Sequence, residues 1–342
     1  MGNKVIVSSK LDGAVLAILP KFIGDAINTL PALALLKQLY PTQRVCILIR
    51  PHLAELFTRA AHYGLEIILD DRHSRNKHQG LYGMASQLKH QNFALAVLFR
   101  GSLTDALLAR LAGIKNVIGY AQNARRPLLS HAFKLNLCHH YIYRYCKLVN
   151  DAHGRPFTHF STPKLIANES KLTLSKQGKN IALYLGGKVK GTRYYPQKLA
   201  LQVIQHVSTI QNINIFLLGD QSEQAEMEAL AAQSISKGIT ICNLAGSMSL
   251  AELVDNIGAM DAVISIDSGP MHIAAACEVP CVAIVGHGTS PWSLVAPKTR
   301  KLIALTHQSM SLSEVDMIQD IEPARIYHSL LELMRDQHTN QS

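Results

Sequence analysis

No apolar run in the sequence approaches the ~20 residues that a membrane-spanning helix needs; stretches such as residues 14–19 and 262–266 are only as long as a strand. A bilayer-spanning segment is therefore not expected. The first dozen residues carry Lys4, Lys10 and Asp12 and have no long apolar core ahead of a small-residue cleavage site, so no export signal is read there and the expected compartment is the cytoplasm. Aromatic residues are scarce, at 6%, and do not interleave with arginine, which sets single-stranded nucleic acid aside as a partner. The six cysteines (Cys46, Cys138, Cys146, Cys242, Cys277 and Cys281) include no CxxC pair and have no companion histidines at zinc-site spacing. No metal or other cofactor is expected, and the thiols read as small apolar fillers in a reducing compartment.

What is present is material for two cores. At 342 residues and 48% hydrophobic the chain is of two-domain length. The net charge of +10 favours anionic partners: nucleic acid, an anionic membrane face or phosphorylated sugars. Strand-length apolar runs alternate with helix-length amphipathic stretches, the pattern of βαβ units feeding a parallel sheet. In the first half the alternation predicts strands at residues 14–19, 44–49, 66–69, 95–99 and 116–119, with helices at 25–39, 53–63, 80–90 and 102–112. It lapses over 120–137, an irregular stretch containing Arg125, Arg126 and Pro127 that is expected to face the cleft or an acceptor, and a helix follows over 139–150. Residues 151–179 are polar and punctuated by Gly154, Pro156, Pro163 and Gly178, which places a domain boundary there. We set the two domains at 1–165 and 166–342. The second repeats the alternation, with strands at 181–185, 214–218, 240–243, 262–266 and 281–285, helices at 196–208, 222–236, 249–256 and 269–276, and a final helix over 323–334 that could pack on either domain. Ser249 and Glu252 form a capping box at one helix start. The fold class is α/β: two doubly wound, Rossmann-like parallel sheets facing each other across a cleft.

Three segments carry chemistry. In LPKFIGDAINTLPAL, Gly24 permits a tight turn and Asp25 stands at a helix start, where the dipole favours its ionised form. Such a carboxylate can accept a proton from an alcohol, or it can simply cap the helix. In SIDSGPMHIAAACEVPCVAIVGHG, Ser268 and Gly269 open a helix and Pro270 suits its first position, so the free N–H groups there offer a seat for a diphosphate. Asp267 would repel phosphate and suits sugar hydroxyls instead. His272, one turn in, can reach a phosphate oxygen or be satisfied within the helix. The following loop holds small residues and Thr289 that allow close backbone approach. In LYLGGKVKGTRYYP, Lys188, Lys190 and Arg193 lie among glycines; Arg193 can neutralise charge on a departing diphosphate, while Lys188 and Lys190 are equally readable as a solvated loop. The His139–His140 pair lacks metal-site spacing.

These segments, in this order, resemble the lipopolysaccharide heptosyltransferases, glycosyltransferase family 9, which have the two-domain GT-B architecture. IGDAINTLPALALLKQLYP is similar to the opening signature of the family, and NLAGSMSLAELVDNIGAMDAVISIDSGPMHIAAA is similar to its donor-binding stretch. The resemblance runs from about Ala14 to Met334. It implies an inverting transfer of heptose from ADP-heptose to the lipopolysaccharide inner core, with Asp25 as general base and no metal. It further implies that Asp267, Ser268, Gly269 and His272 bind the donor, with Met248 near the adenine and Glu223 near the ribose. Arg193 stands where the family usually has lysine, and Tyr195 where it usually has tryptophan. A planar guanidinium differs from a point charge, so the donor sugar could differ. The partners implied are a nucleotide-diphosphate sugar, an anionic lipopolysaccharide acceptor and the inner-leaflet membrane surface, with no nucleic acid. Other readings of the same residues are a family member with another donor or acceptor, a GT-B-fold sugar-nucleotide epimerase, and a catalytically silent binding protein. Residues 1–13 precede the first strand and are assigned no role.

Overall fold

The computed structural model describes residues 4–60, 64–72, 80–234, 239–288, 290–309, 313–314 and 316–339. Tyr63 and Ser236, the expected ends of two helices, lie outside them. The chain divides into two compact units, Met1–Pro163 and Lys164–Ser342, and each is built around one six-stranded sheet whose pairings are all parallel.

In the first unit the strands are β1 (Ala14–Ile18), β2 (Val45–Ile49), β3 (Glu66–Leu69), β4 (Phe93–Leu98), β5 (Asn116–Tyr120) and β6 (His131–Phe133), in the order β3-β2-β1-β4-β5-β6. β1 is buried along its whole length because it is central and covered on both faces, hence its uninterrupted apolar sequence. Its alternate residues Leu16 and Ile18 point to one side, where they join Met84, Ala85 and Leu88 of α4 (Gly80–Lys89) and Ala106, Leu108 and Ala109 of α5 (Leu103–Leu111) in a single core. The predicted helix 25–39 is two helices, α1 (Ile23–Asn28) and α2 (Leu30–Leu39). Pro31 explains the break: it has no N–H for the ladder, so a new helix starts with proline in its first turn, and Thr29 Oγ1 takes up Ala26 O at 2.6 Å. α3 (Pro51–Thr58) follows β2. α6 (Tyr141–Ala152) packs on α2, with His140 as its N-cap, accepting from Ile142 N. Ile6 N donates to Ala152 O at 2.9 Å, which ties part of the segment before β1 to the end of α6.

In the second unit β7 (Lys179–Tyr184), β8 (Ile213–Leu217), β9 (Thr240–Asn243), β10 (Ala262–Ile266), β11 (Cys281–Val285) and β12 (Leu302–Thr306) pair in the order β12-β11-β10-β7-β8-β9. The helices are α7 (Gln197–Val207), α8 (Gln224–Gln233), α9 (Leu250–Gly258), α10 (Gly269–Ala276), α11 (Trp292–Val295) and α12 (Pro323–Thr339). The Ser249–Glu252 capping box is formed at α9. α12 packs on α7 and on β10, β11 and β12.

A buried ion cluster stands at the carboxyl ends of β3 and β4. Asp70 and Asp105, each about 1% exposed, are shared by Arg72 and Arg100: Arg72 bonds Asp70 at 2.7 Å and Asp105 at 2.7 Å, and Arg100 bonds Asp105 at 2.6 Å and Asp70 at 3.2 Å.

Candidate functional site

Each sheet reverses its strand order at one place, between β1 and β4 in the first unit and between β7 and β10 in the second. Loops leaving the carboxyl ends of such neighbours diverge and open a crevice. In the first unit the crevice is a depression of about 270 Å³, open to solvent, lined by residues 20–22 and Asp25 after β1, residues 99–101 after β4, Tyr120 and Gln122 at the end of β5, Leu135, and Tyr141, Arg144 and Tyr145 on α6. Asp25 is the third residue of α1, in the first turn behind the N-cap Phe22, where the helix dipole favours negative charge. The Tyr145 phenol is pushed well up, first by burial and then by the nearby charge of Asp25. Lys21, Arg100 and Arg144 supply cations to the wall. The charge of Arg100 is balanced by Asp70 and Asp105, and the Arg144 guanidinium lies 4.5 Å from the Tyr141 ring centre. One carboxylate among cations and aromatic faces suits an anionic, hydroxyl-bearing ligand.

In the second unit the loops after β7 and β10 meet: Arg193 Nη1 donates to Asp267 O at 3.2 Å. The Asp267 carboxyl is pushed up by burial, which the Arg193 charge opposes. Ser268 is the N-cap of α10 without a side-chain capping bond, Gly269 is its first residue and Pro270 its second, so the helix presents free N–H groups at the crevice. His272 is buried one turn in. Glu223, 1% exposed, accepts from Gly187 N at 2.6 Å and Asp220 N at 2.9 Å, with the Tyr184 hydroxyl at 3.3 Å. It thereby joins the loops after β7 and β8. Met248 stands in the loop after β9, at the edge of the sheet, its sulfur accepting from Asn256 Nδ2 of α9 at 3.1 Å. The structure thus brings Arg193, Asp267, Ser268 and Gly269 to one crevice and holds Glu223 and Met248 in the loops after successive strands beside it. Thr289 lies outside the described residues.

Sequence reasoning missed two members of this group. Lys190 is not a solvated loop residue: its Nζ lies 2.8 Å from Asp220 and 3.7 Å from Glu223. Burial lowers its pKa, but the Asp220 bond and the negative charges around it win and raise it. Tyr184 is pushed up to about 12 by burial and by Glu223. Only the concentration of basic residues in the loop hinted at Lys190, and Tyr184 looked like any strand aromatic. The crevice depends on Gly186, at φ +70°, where a Cβ would stand 2.6 Å from Ile266 Cδ1. Gly186→Ala is expected to lower unfolding stability by about 1–3 kcal/mol, read from denaturant melts; an unchanged midpoint would show that the loop adapts.

Residues 82–321 match the model of glycosyltransferase family 9 (heptosyltransferase). Lipooligosaccharide heptosyltransferase 2 of Haemophilus ducreyi is 23% identical over 350 residues, covering 94% of this chain and 99% of the relative. Lipopolysaccharide heptosyltransferase 2 of Salmonella typhimurium is 24% identical over 349 residues, with the same coverage. Among solved structures, E. coli ADP-heptose lipopolysaccharide heptosyltransferase II superposes with a TM-score of 0.81 at 21% identity, covering 95% of this chain and 99% of that one. A family 9 glycosyltransferase from Veillonella parvula gives 0.84 at 18% identity, covering 97% and 100%. At these identities the structures speak to the fold, and they share the GT-B class expected from the sequence. The family match covers more than half of the chain, and the protein belongs to glycosyltransferase family 9, the heptosyltransferases.

Proposed function

We propose that this glycosyltransferase moves heptose from ADP-heptose to the inner core of lipopolysaccharide at the cytoplasmic face of the inner membrane, inverting the anomeric carbon, with Asp25 as general base. The observation that carries the acceptor side is the depression of the first unit, which sets Asp25 beside the cations Lys21 and Arg144. An acceptor bearing acidic sugars and phosphates meets cations there, and its attacking hydroxyl meets a carboxylate that can take its proton. In the donor role, the N–H groups at the start of α10, with Ser268 and Gly269, hold the diphosphate, joined by His272; Arg193 neutralises the charge of the departing ADP; Asp267 serves the sugar hydroxyls. Glu223 and Met248 border the nucleoside. Names of the relatives, lipopolysaccharide heptosyltransferase 2 and ADP-heptose lipopolysaccharide heptosyltransferase II, support this choice of donor and acceptor.

The test is transfer from ADP-heptose to heptose-deficient lipopolysaccharide, with the anomeric configuration of the product read by NMR. Inversion is expected. Retention would overturn the single displacement, and consumption of another nucleotide sugar in preference to ADP-heptose would overturn the donor and point to Arg193.

Arg125 is a positioning residue for the same depression. Its side chain is 0% exposed, Nε donates to Tyr120 O at 2.8 Å and Nη1 to Arg100 O, so it ties together two residues of the wall. Burial brings its pKa down to about 10, against the charge of Asp105. Arg125→Met is expected to raise the acceptor KM about tenfold, the scale of a lost hydrogen bond of ~1.4 kcal/mol, with the donor KM unchanged. A fall in apparent kcat with both KM values unchanged would show only a loss of folded enzyme.

A further inference from the structure

Charge is divided unevenly between the units: residues 1–163 carry 20 Lys and Arg against 8 Asp and Glu, and residues 164–342 carry 14 against 16. The skew is sharpest between Asp71 and Asp151, where the sequence has 12 Lys and Arg and a single acid, Asp105. That acid is buried in the ion cluster, so the surface this segment builds presents no carboxylate among its described residues. The same segment exposes apolar side chains: Leu103 at 46%, Leu107 at 37% and Leu111 at 38%, and Tyr82 at 76%. The leucines are spaced four residues apart, so they form one line of about 12 Å along the outer side of α5. α4, which carries Tyr82, lies against α5. Exposed Lys89 ends α4, exposed Lys115 follows α5, and exposed Arg126 opens the short turn that packs on α5.

We propose that this α4–α5 face is a docking surface for an anionic lipid bilayer, with Leu103, Leu107 and Leu111 entering the headgroup boundary and Lys89, Lys115 and Arg126 meeting lipid phosphates. An apolar strip flanked by cations, in a segment whose described residues expose no acid, is the chemistry such a surface selects. Charge complementarity chooses the occupant: a second copy of the chain would set two acid-free cationic faces together, whereas anionic lipid neutralises one. The strip begins two residues beyond Gly101, which lines the depression, so docking places a lipid-anchored acceptor beside Asp25. The inference rests on the lipopolysaccharide acceptor proposed above.

The experiment is cosedimentation of the full chain with vesicles of phosphatidylglycerol and phosphatidylcholine, beside vesicles of phosphatidylcholine alone. The wild type is expected to bind the anionic vesicles and to be released by salt. Leu103→Gln/Leu107→Gln/Leu111→Gln and, separately, Lys115→Gln/Arg126→Gln are each expected to weaken binding by about tenfold or more. Both should transfer heptose to a delipidated core oligosaccharide at the wild-type rate, which also shows that they fold. Wild-type indifference to anionic vesicles, or variants that bind as well as wild type, would overturn the proposal. So would sedimentation velocity showing that the leucine variant turns a dimer into a monomer, since the strip would then belong to a second copy. Transfer without vesicle binding would sink the docking surface alone; vesicle binding without transfer from ADP-heptose would sink the proposed function instead.

Discussion

Asp25→Asn is expected to lower the rate of transfer by about 10²–10⁴, the range for loss of a general base, with little change in the donor KM. Asparagine keeps the size of the side chain and removes its capacity to take a proton. Asp25 occupies the third position of α1 and Phe22 holds the N-cap, so the helix-dipole share of the stability lost should be about 0.3–1 kcal/mol. The two roles that the sequence left open are thereby separated. A base loses rate and keeps stability; a helix-end residue loses stability and keeps rate. Steady-state kinetics beside a denaturant melt distinguishes them.

Asp70→Ala is expected to destabilise the first unit by about 3–5 kcal/mol, because it leaves Arg72 and Arg100 buried with one carboxylate between them. Burial alone would raise the Asp70 pKa, but the Arg72 hydrogen bond and the charges of Arg72, Arg100 and Arg50 overcome it and bring it from 3.8 to about 2. A carboxylate depressed on folding contributes stability above its unfolded value, and that contribution fades as pH falls toward 2. For Asp70 it amounts to ~2 kcal/mol at neutral pH. Wild-type melts should therefore weaken between about pH 5 and pH 2, and the Asp70→Ala variant should show a shallower decline across that window. Parallel pH profiles for the two proteins would show that the cluster titrates elsewhere.

Strands in the sheet interiors were legible in the sequence because burial on both faces makes them unbroken apolar runs. β1, β2, β10 and β11 lie within a residue of their predicted bounds, and the edge strands β3 and β9 also fall at 66–69 and 240–243 as expected because turn residues bracket them. β6 and β12 were not foreseen. Both are edge strands: β6 has three residues within a polar stretch, and β12 is partly exposed, so neither carries a continuous apolar signal. Pro31 marked the break between α1 and α2, but the apolar periodicity through residues 25–39 concealed it. Asp25, Arg193 and the turn at residues 267–269 could be found because a glycine or a helix start marks each of them. Arg125 and the Asp70–Arg72–Arg100–Asp105 cluster could not. Their partners lie up to 33 residues away in sequence and meet only when β3, β4 and β5 align. A buried arginine has the same letter as a solvated one, and only the sheet tells them apart.

Heptosyl transfer to a lipopolysaccharide core is tested by following released ADP together with the mass of a heptose-deficient lipopolysaccharide acceptor, in a mixture of ADP-heptose and competing nucleotide sugars. The expected result is ADP release matched mole for mole by acceptor that has gained one heptose. Tight binding of ADP-heptose with no gain in acceptor mass, or its conversion to a free epimerised sugar nucleotide, would contradict it.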